Sequence, residues 1–330
     1  METRSAPGIE DHALPVGANP ELQEFWRPEM RAEVPARFLA RLPGGRVLGA
    51  GIVLAPDGTS VARDVSLDFG KPFEEHWLLT ERRIPPPQPV PGTTAVIATA
   101  LAKGYGHWLL DELPRLLALP RGQADNLIAH GTQPYSRTAL AQYGWTGAIL
   151  EVDRRAHFHC EQLIVPSLSG TVVQPTRHGL DLVTEFVAAF STPASAGGER
   201  LYITREAARR RRVTNEPELW AELQEAGFAK VRLEELTWPE QINAFRHAKV
   251  VVGPHGAGLA NLAFCPPGTR VVELFNRAYV AGGFWRLAAL GGLDYRPAVS
   301  AGSEPLAHSP AGNRLDITAD LEQVRAALKN

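Results

Sequence analysis

Between Lys249 and Arg270 the chain carries no Asp, Glu, Lys or Arg. A run of that kind either crosses a membrane or fills a protein core. The text VVVGPHGAGLANLAFCPPGT contains His255, Asn261, Pro254, Pro266, Pro267 and four glycines. In lipid the backbone freed by those residues would lack partners, so the run is read as buried strand, loop and short helix. The apolar strand runs into a glycine-rich turn that opens the helix, as strands of parallel sheets do at ligand sites.

The flanking sequence has the same rhythm. Strands are expected near 200–204, 231–233, 250–252 and 271–274, with helices near 215–226, 237–248, 256–264 and 321–328. Asn215 with Glu218 opens the first of these helices and Gly227 closes it. Thr237 with Glu240 forms a capping box for the second, and Pro239 falls in its first turn. The first half alternates more weakly. Strands are expected near 94–99, 126–129, 148–152 and 162–165, and helices near 107–119 (with Pro114 inside), 135–143 and 181–190. From Arg37 to Leu67 the period is two, interrupted by Pro43-Gly44-Gly45 and Pro56-Asp57-Gly58, which predicts a small antiparallel meander. The run IPPPQPVPG, 84–92, is too rich in proline for a sheet and reads as an extended connector. The first 35 residues show no period and read as an irregular arm.

With 330 residues the chain suits two domains. The flexible STPASAGG segment divides it into a domain over 1–190 (meander about 37–67, α/β unit about 93–190), a linker at 191–199 and a domain over 200–330. A cleft between two α/β units is a binding site by geometry. The carboxy-terminal helix is expected to fold back across the first domain. A net charge of -2 argues against a nucleic-acid partner. Cys160 and Cys265 cannot build a disulfide framework, and the amino terminus lacks the basic start and apolar stretch of a signal peptide. The expected compartment is the cytoplasm, with no transmembrane segment; peripheral association with a membrane is compatible with this.

Three segments carry candidate chemistry. Gly253-Pro254-His255-Gly256-Ala257-Gly258 places backbone N–H groups at a helix start, where an anion such as phosphate is favoured; a tight structural turn with a hydrogen-bonded His255 is the alternative. An esterase oxyanion hole would need G-x-S-x-G, which the chain lacks. In LYITREAARRRRVTNE, Arg205 and Arg212 flank a basic loop and can offer bidentate donors to a diphosphate, while Arg209, Arg210 and Arg211 read as solvated. In GYGHWLLDELPRLLAL, His107 and Asp111 share a helical face and pair an imidazole with a carboxylate suited to removing a hydroxyl proton. Asp111 is preferred as the base with His107 orienting, although an ion pair with Arg115 would occupy it instead. Glu273, ending a strand, can accept from ribose hydroxyls or lie on the surface. His157, His159 and Cys160 lack a fourth ligand at metal spacing, and no D-x-D occurs, so no metal site and no cofactor is expected. G-x-G-x-x-G is missing after the first strand of either half, which disfavours a nicotinamide enzyme.

Together and in this order, these segments resemble glycosyltransferase family 61. The resemblance rests on HWLLDELPRL, on YITR followed by Arg212, Val213, Asn215 and Glu216, on Gly227-Phe228, on EQINAFRHA, and on VVGPHGAGLAN followed by PPGTRVVEL. It implies an inverting transferase that uses a nucleotide-diphosphate sugar, with two facing Rossmann-like domains in the GT-B arrangement and the donor held by the second. It carries donor contacts to Arg205, Arg212, Asn215, His255, Gly256, Gly258, Asn261 and Glu273, and acceptor-side roles to His107, Asp111 and Arg115. The implied acceptor is a glycan, lipid-linked glycan or other hydroxyl compound of a bacterial surface. A non-catalytic nucleotide-sugar-binding module on the same fold is the other reading.

Overall fold

The computed structural model describes residues 2–66, 83–171, 174–190 and 198–329. Contacts divide the chain into two units: Met1–Ile9 with Glu33–Phe186, and Glu10–Ala32 with Val187–Asn330. Most of the expected linker, 191–197, lies outside the described residues. The expected boundary near 190 also counted 10–32 with the first domain, whereas these residues group with the second unit.

The first unit is a mixed sheet. Strands β1 (Glu2–Ser5), β4 (Arg37–Pro43), β5 (Arg46–Leu48), β6 (Ile52–Leu54), β7 (Gln88–Val96), β8 (Asn126–Ala129), β9 (Ala148–Glu151) and β10 (His157–Pro166) take the order β1-β4-β10-β7-β8-β9, with β5 also paired to β10 and β6 to β5. β10, β7, β8 and β9 run parallel. β2 (Gly8–Asp11) and β3 (Arg31–Val34) pair separately. Two sequence expectations need correction. Pro43-Gly44-Gly45 does not turn a hairpin: β4 and β5 lie end to end along β10, and of β4, β5 and β6 the last two alone pair with each other. The expected meander is therefore part of the large sheet. Its far end, with Leu67, falls outside the described residues. Pro89 and Pro91 do enter a strand. There β7 has β10 on one side, and β8 joins its other side only from Thr94, so the missing N–H groups cost no bond to β8.

Helix α2 runs as Tyr105–His107, a π segment Trp108–Glu112, and Leu113–Ala118. Pro114 cannot donate to the carbonyl of Leu110, and the widened turn before it accommodates the ring. The Leu110 carbonyl faces the Ser169 hydroxyl at 3.5 Å. Helices α3 (Pro134–Tyr143) and α4 (Arg177–Ala188) follow. Gly144, at φ 81°, caps α3 in the left-handed conformation that glycine adopts without penalty.

The second unit is an all-parallel five-stranded sheet, β12-β11-β13-β14-β15. Its strands are β11 (Arg200–Ile203), β12 (Ala229–Val231), β13 (Val250–Pro254), β14 (Arg270–Phe275) and β15 (Asp294–Val299). The connecting helices include α5 (Glu216–Glu225), α6 (Trp238–Arg246), a 3-10 helix Ala257–Phe264, and α7 (Gly283–Gly291). The Thr237–Glu240 capping box of α6 is present. Asn215 makes no cap bond to α5; its amide exchanges two bonds with the backbone of Ala319 instead. The amino-terminal arm is structured. Trp26 of α1 (Pro20–Trp26) is wholly buried and stacks on Trp285 at 5.3 Å, and Arg286 donates to the Glu29 carbonyl. Burying an indole of that size decides where the segment goes. The carboxy-terminal helix α8 (Leu321–Leu328) also belongs to the second unit. Val324 and Ala327 join the core of that unit around Leu219 and Leu223. Among the described residues no helix is long and apolar enough to cross a membrane.

Candidate active site

In the second unit the chain leaves β11 for β12 on one side, then returns to β13 on the other. The loops after β11 and β13 diverge at that switch, and doubly wound sheets bind ligands there. A pocket of about 350 Å³ occupies this place, lined by Thr204, Arg205, Glu234, Pro254, Gly256 and Gly258 among others. Glu216 anchors the end of β11: its Oε1 accepts from Thr204 Oγ1 at 2.5 Å and Tyr202 OH at 3.0 Å. Gly256 is needed for space. A Cβ there would lie 2.9 Å from Arg205 Cζ, so the glycine makes room for the guanidinium. A Cβ on Gly258 would press on Leu233 at 2.6 Å.

Arg205 and Arg211 each bury an Nε with no hydrogen-bond partner among the described residues. Burial and the neighbouring Arg210 charge lower the Arg205 pKa. Arg211 is lowered to about 10, first by burial and then by the Arg205 charge. Arg211 is only 9% exposed, has φ 56°, and places its guanidinium 5.6 Å from the centre of the Tyr279 ring. A left-handed non-glycine residue holding an unpaired buried cation is costly, and an anion would offset that cost. This arginine was expected to be solvated. Arg212, expected to bind the donor, instead points outward and pairs with Asp316 at 2.7 Å.

His255 Nδ1 lies 2.5 Å from Glu273 Oε1, and Tyr295 OH donates to the other Glu273 oxygen at 2.5 Å. Glu273 is fully buried with both oxygens engaged, so the expected acceptance from ribose hydroxyls has no free oxygen in this arrangement. Burial lowers the His255 pKa, aided by Arg211 and His308 and opposed by Glu273. The imidazole presents Nδ1 to the Glu273 carboxylate and packs among Phe275, Tyr279 and Phe284. Asn261 is buried on the 3-10 helix, with Nδ2 donating to Gln241 Oε1 at 3.0 Å.

In the first unit, His107 Nδ1 and Asp111 Oδ2 are 2.9 Å apart on α2, and their side chains are 23% and 4% exposed. The adjacent Glu112 is fully buried; it accepts from the His130 backbone N–H at 2.8 Å and pairs with His130 Nδ1 at 2.9 Å. Arg115, expected on the acceptor side, is wholly buried. It donates to the carbonyls of Ile97, Ala98 and Pro166, tying together the ends of β7 and β10 where this sheet also switches direction. Burial lowers its pKa to about 10. His157 Nδ1 pairs with the Pro85 carbonyl at 2.7 Å, and burial pushes the Cys160 thiol up to about 11.

Sequence reasoning passed over Arg211, Tyr279, Tyr295 and the pair Glu112–His130. Only Arg211 had a usable signal, its place in an arginine run where the loop must turn back. The comparisons bear on the whole set. No curated protein matches the chain. The family model described as Glycosyltransferase 61 matches residues 105–272, slightly more than half the chain. That span includes α2, the Arg205–Arg211 loop, the glycine turn and the first half of β14. The chain therefore belongs to glycosyltransferase family 61, and the protein is a glycosyltransferase.

Proposed function

We propose that this glycosyltransferase is an inverting enzyme of the GT-B type, transferring a sugar from a nucleotide-diphosphate donor to an acceptor hydroxyl. The observation that carries the reading is the pair of buried, unpartnered Nε groups of Arg205 and Arg211, the former in the wall of the switch-point pocket. A diphosphate supplies the missing counter-charge, and the same cations stabilise it as it departs. The glycine turn adds backbone N–H groups. Charge compensation of this kind supports transfer without a metal. The acceptor class, a glycan or lipid-linked glycan of a bacterial surface made from the cytoplasmic side, rests on the family resemblance.

In-line displacement needs a base on the acceptor oxygen. Of the His107–Asp111 pair, the imidazole is the more exposed partner and the carboxylate sits behind it. This supports His107 as the base and Asp111 as the group that orients it, the reverse of the preference drawn from sequence. Calorimetry against a panel of nucleoside diphosphates and nucleotide-sugars tests the donor claim. One of them should bind, and its sugar should leave with inverted configuration when a glycan acceptor is present. Failure of every nucleotide to bind refutes it. Full loss of transfer in a chelator, restored by manganese or magnesium, refutes metal independence. His107→Gln should cut turnover by ~10² to 10⁴-fold with donor affinity intact; unchanged turnover refutes the base assignment.

A further inference from the structure

A separate pocket of about 160 Å³ opens in the first unit, against the carboxy-terminal half of α2 and the start of α4. It has roughly ten times the ~15 Å³ that one water needs. Phe38, Pro114 and Leu182 give it apolar walls, Arg4, Arg37 and His178 give it a basic side, and no Asp or Glu is among the described residues that line it. Arg37 spends Nε on Ser5 Oγ at 2.7 Å, and Arg4 spends Nη1 on the Ala118 carbonyl at 2.9 Å. The Glu2 carboxylate lies 3.8 Å from Arg4 Nε in an exposed pair, which neutralises little. The Arg37 Nη groups and the His178 imidazole have no hydrogen-bond partner among the described residues.

Burial and the charges of Arg37 and Arg4 lower the His178 pKa, against the opposing pull of Asp181. The fold thus gathers two guanidinium groups and an imidazole around an open space without a carboxylate among the described residues of its wall. Like charges converge in this way where a third, negative party completes the set. We infer that this pocket binds an oxyanion, phosphate or carboxylate, carried on a ligand with an apolar stem. The anion meets the guanidiniums and His178, and the stem lies on Phe38, Pro114 and Leu182. The inference is independent of the donor reading, since Arg205 and Arg211 belong to the other unit.

Histidine Cε1 resonances of the full chain test it site by site, with His178→Gln assigning the signal. Inorganic phosphate and acetate are titrated separately at constant ionic strength set with chloride. At least one should move the His178 signal saturably and raise its titration midpoint, because a bound anion favours the imidazolium. Saturation by phosphate alone assigns a phosphate group, and by acetate alone a carboxylate. Arg37→Gln and Arg4→Gln should each weaken the response about ten-fold or more. Should the Arg37 variant misfold, Arg4→Gln decides. Non-saturating shifts with both anions, or saturation unchanged in the folded variants, overturn the site.

Discussion

Gly256 has φ 173°, extended backbone open to any residue, so Gly256→Ala tests space and not conformation. The new methyl overlaps the Arg205 guanidinium, whose Cζ would stand 2.9 Å away. A side-chain end can swing aside, at an off-rotamer cost of about 0.5–1.5 kcal/mol, so the fold should survive with its melting temperature lowered by no more than about 5 °C. Binding should suffer far more. A hydrogen bond to a charged group is worth about 1.5–3 kcal/mol, so withdrawing Arg205 from a diphosphate should raise the dissociation constant about 10- to 150-fold. Calorimetry with the preferred nucleoside diphosphate measures this in Gly256→Ala, Arg205→Ala and the double variant. Because both changes remove one contact, the double variant should bind no worse than Arg205→Ala. If Gly256→Ala binds as tightly as the parent while Arg205→Ala does not, or if the two losses add, the glycine does not serve the arginine and the reasoning fails.

Arg211→Asn removes a buried cation and puts a residue tolerant of positive φ at 56°. It should raise the melting temperature while weakening nucleotide binding ten-fold or more, and a loss of stability would contradict the strain assignment. Arg115→Met leaves buried carbonyls unpaired at the junction of β7 and β10. It should cost about 3 kcal/mol or more in urea unfolding, and a near-neutral change would refute its structural role. His12, His178 and His255 have pKa values lowered from 6.5 mainly by burial. The unfolded chain then takes protons first, so stability is present above about pH 6.5 and lost as pH falls towards the lowered folded values. Thermal melts from pH 8 to pH 5 should show this decline, with a shallower slope in His255→Asn; a flat profile would refute it.

Between Thr94 and Leu274 the order of strands and helices was legible in sequence because it rests on short-range periodicity and punctuation: the Thr237–Glu240 box, Gly227 at a helix end, and the glycine turn after Val250–Val252; the elements of the amino-terminal arm, α7 and β15 were not. The family was legible for the same reason, since its motifs sit on those local units. Tertiary structure alone decided which partners the side chains take. Arg211 and Arg212 are neighbours in sequence, yet a left-handed turn at 211 buries one beside Tyr279 and sends the other out to Asp316. Glu273 looks like any carboxylate ending a strand until β13 and β15 flank β14 and bring His255 and Tyr295 to it. Arg115 has carboxylates near it in sequence, but its donors go to carbonyls 17, 18 and 51 residues away. Pro89 and Pro91 forbid a central strand by local rule, and the half-unpaired stretch of β7 exempts them. Backbone conformation is selected over a few residues and can be read from them. Burial and charge partnership are set by contacts across the sheet, and only the folded chain makes those.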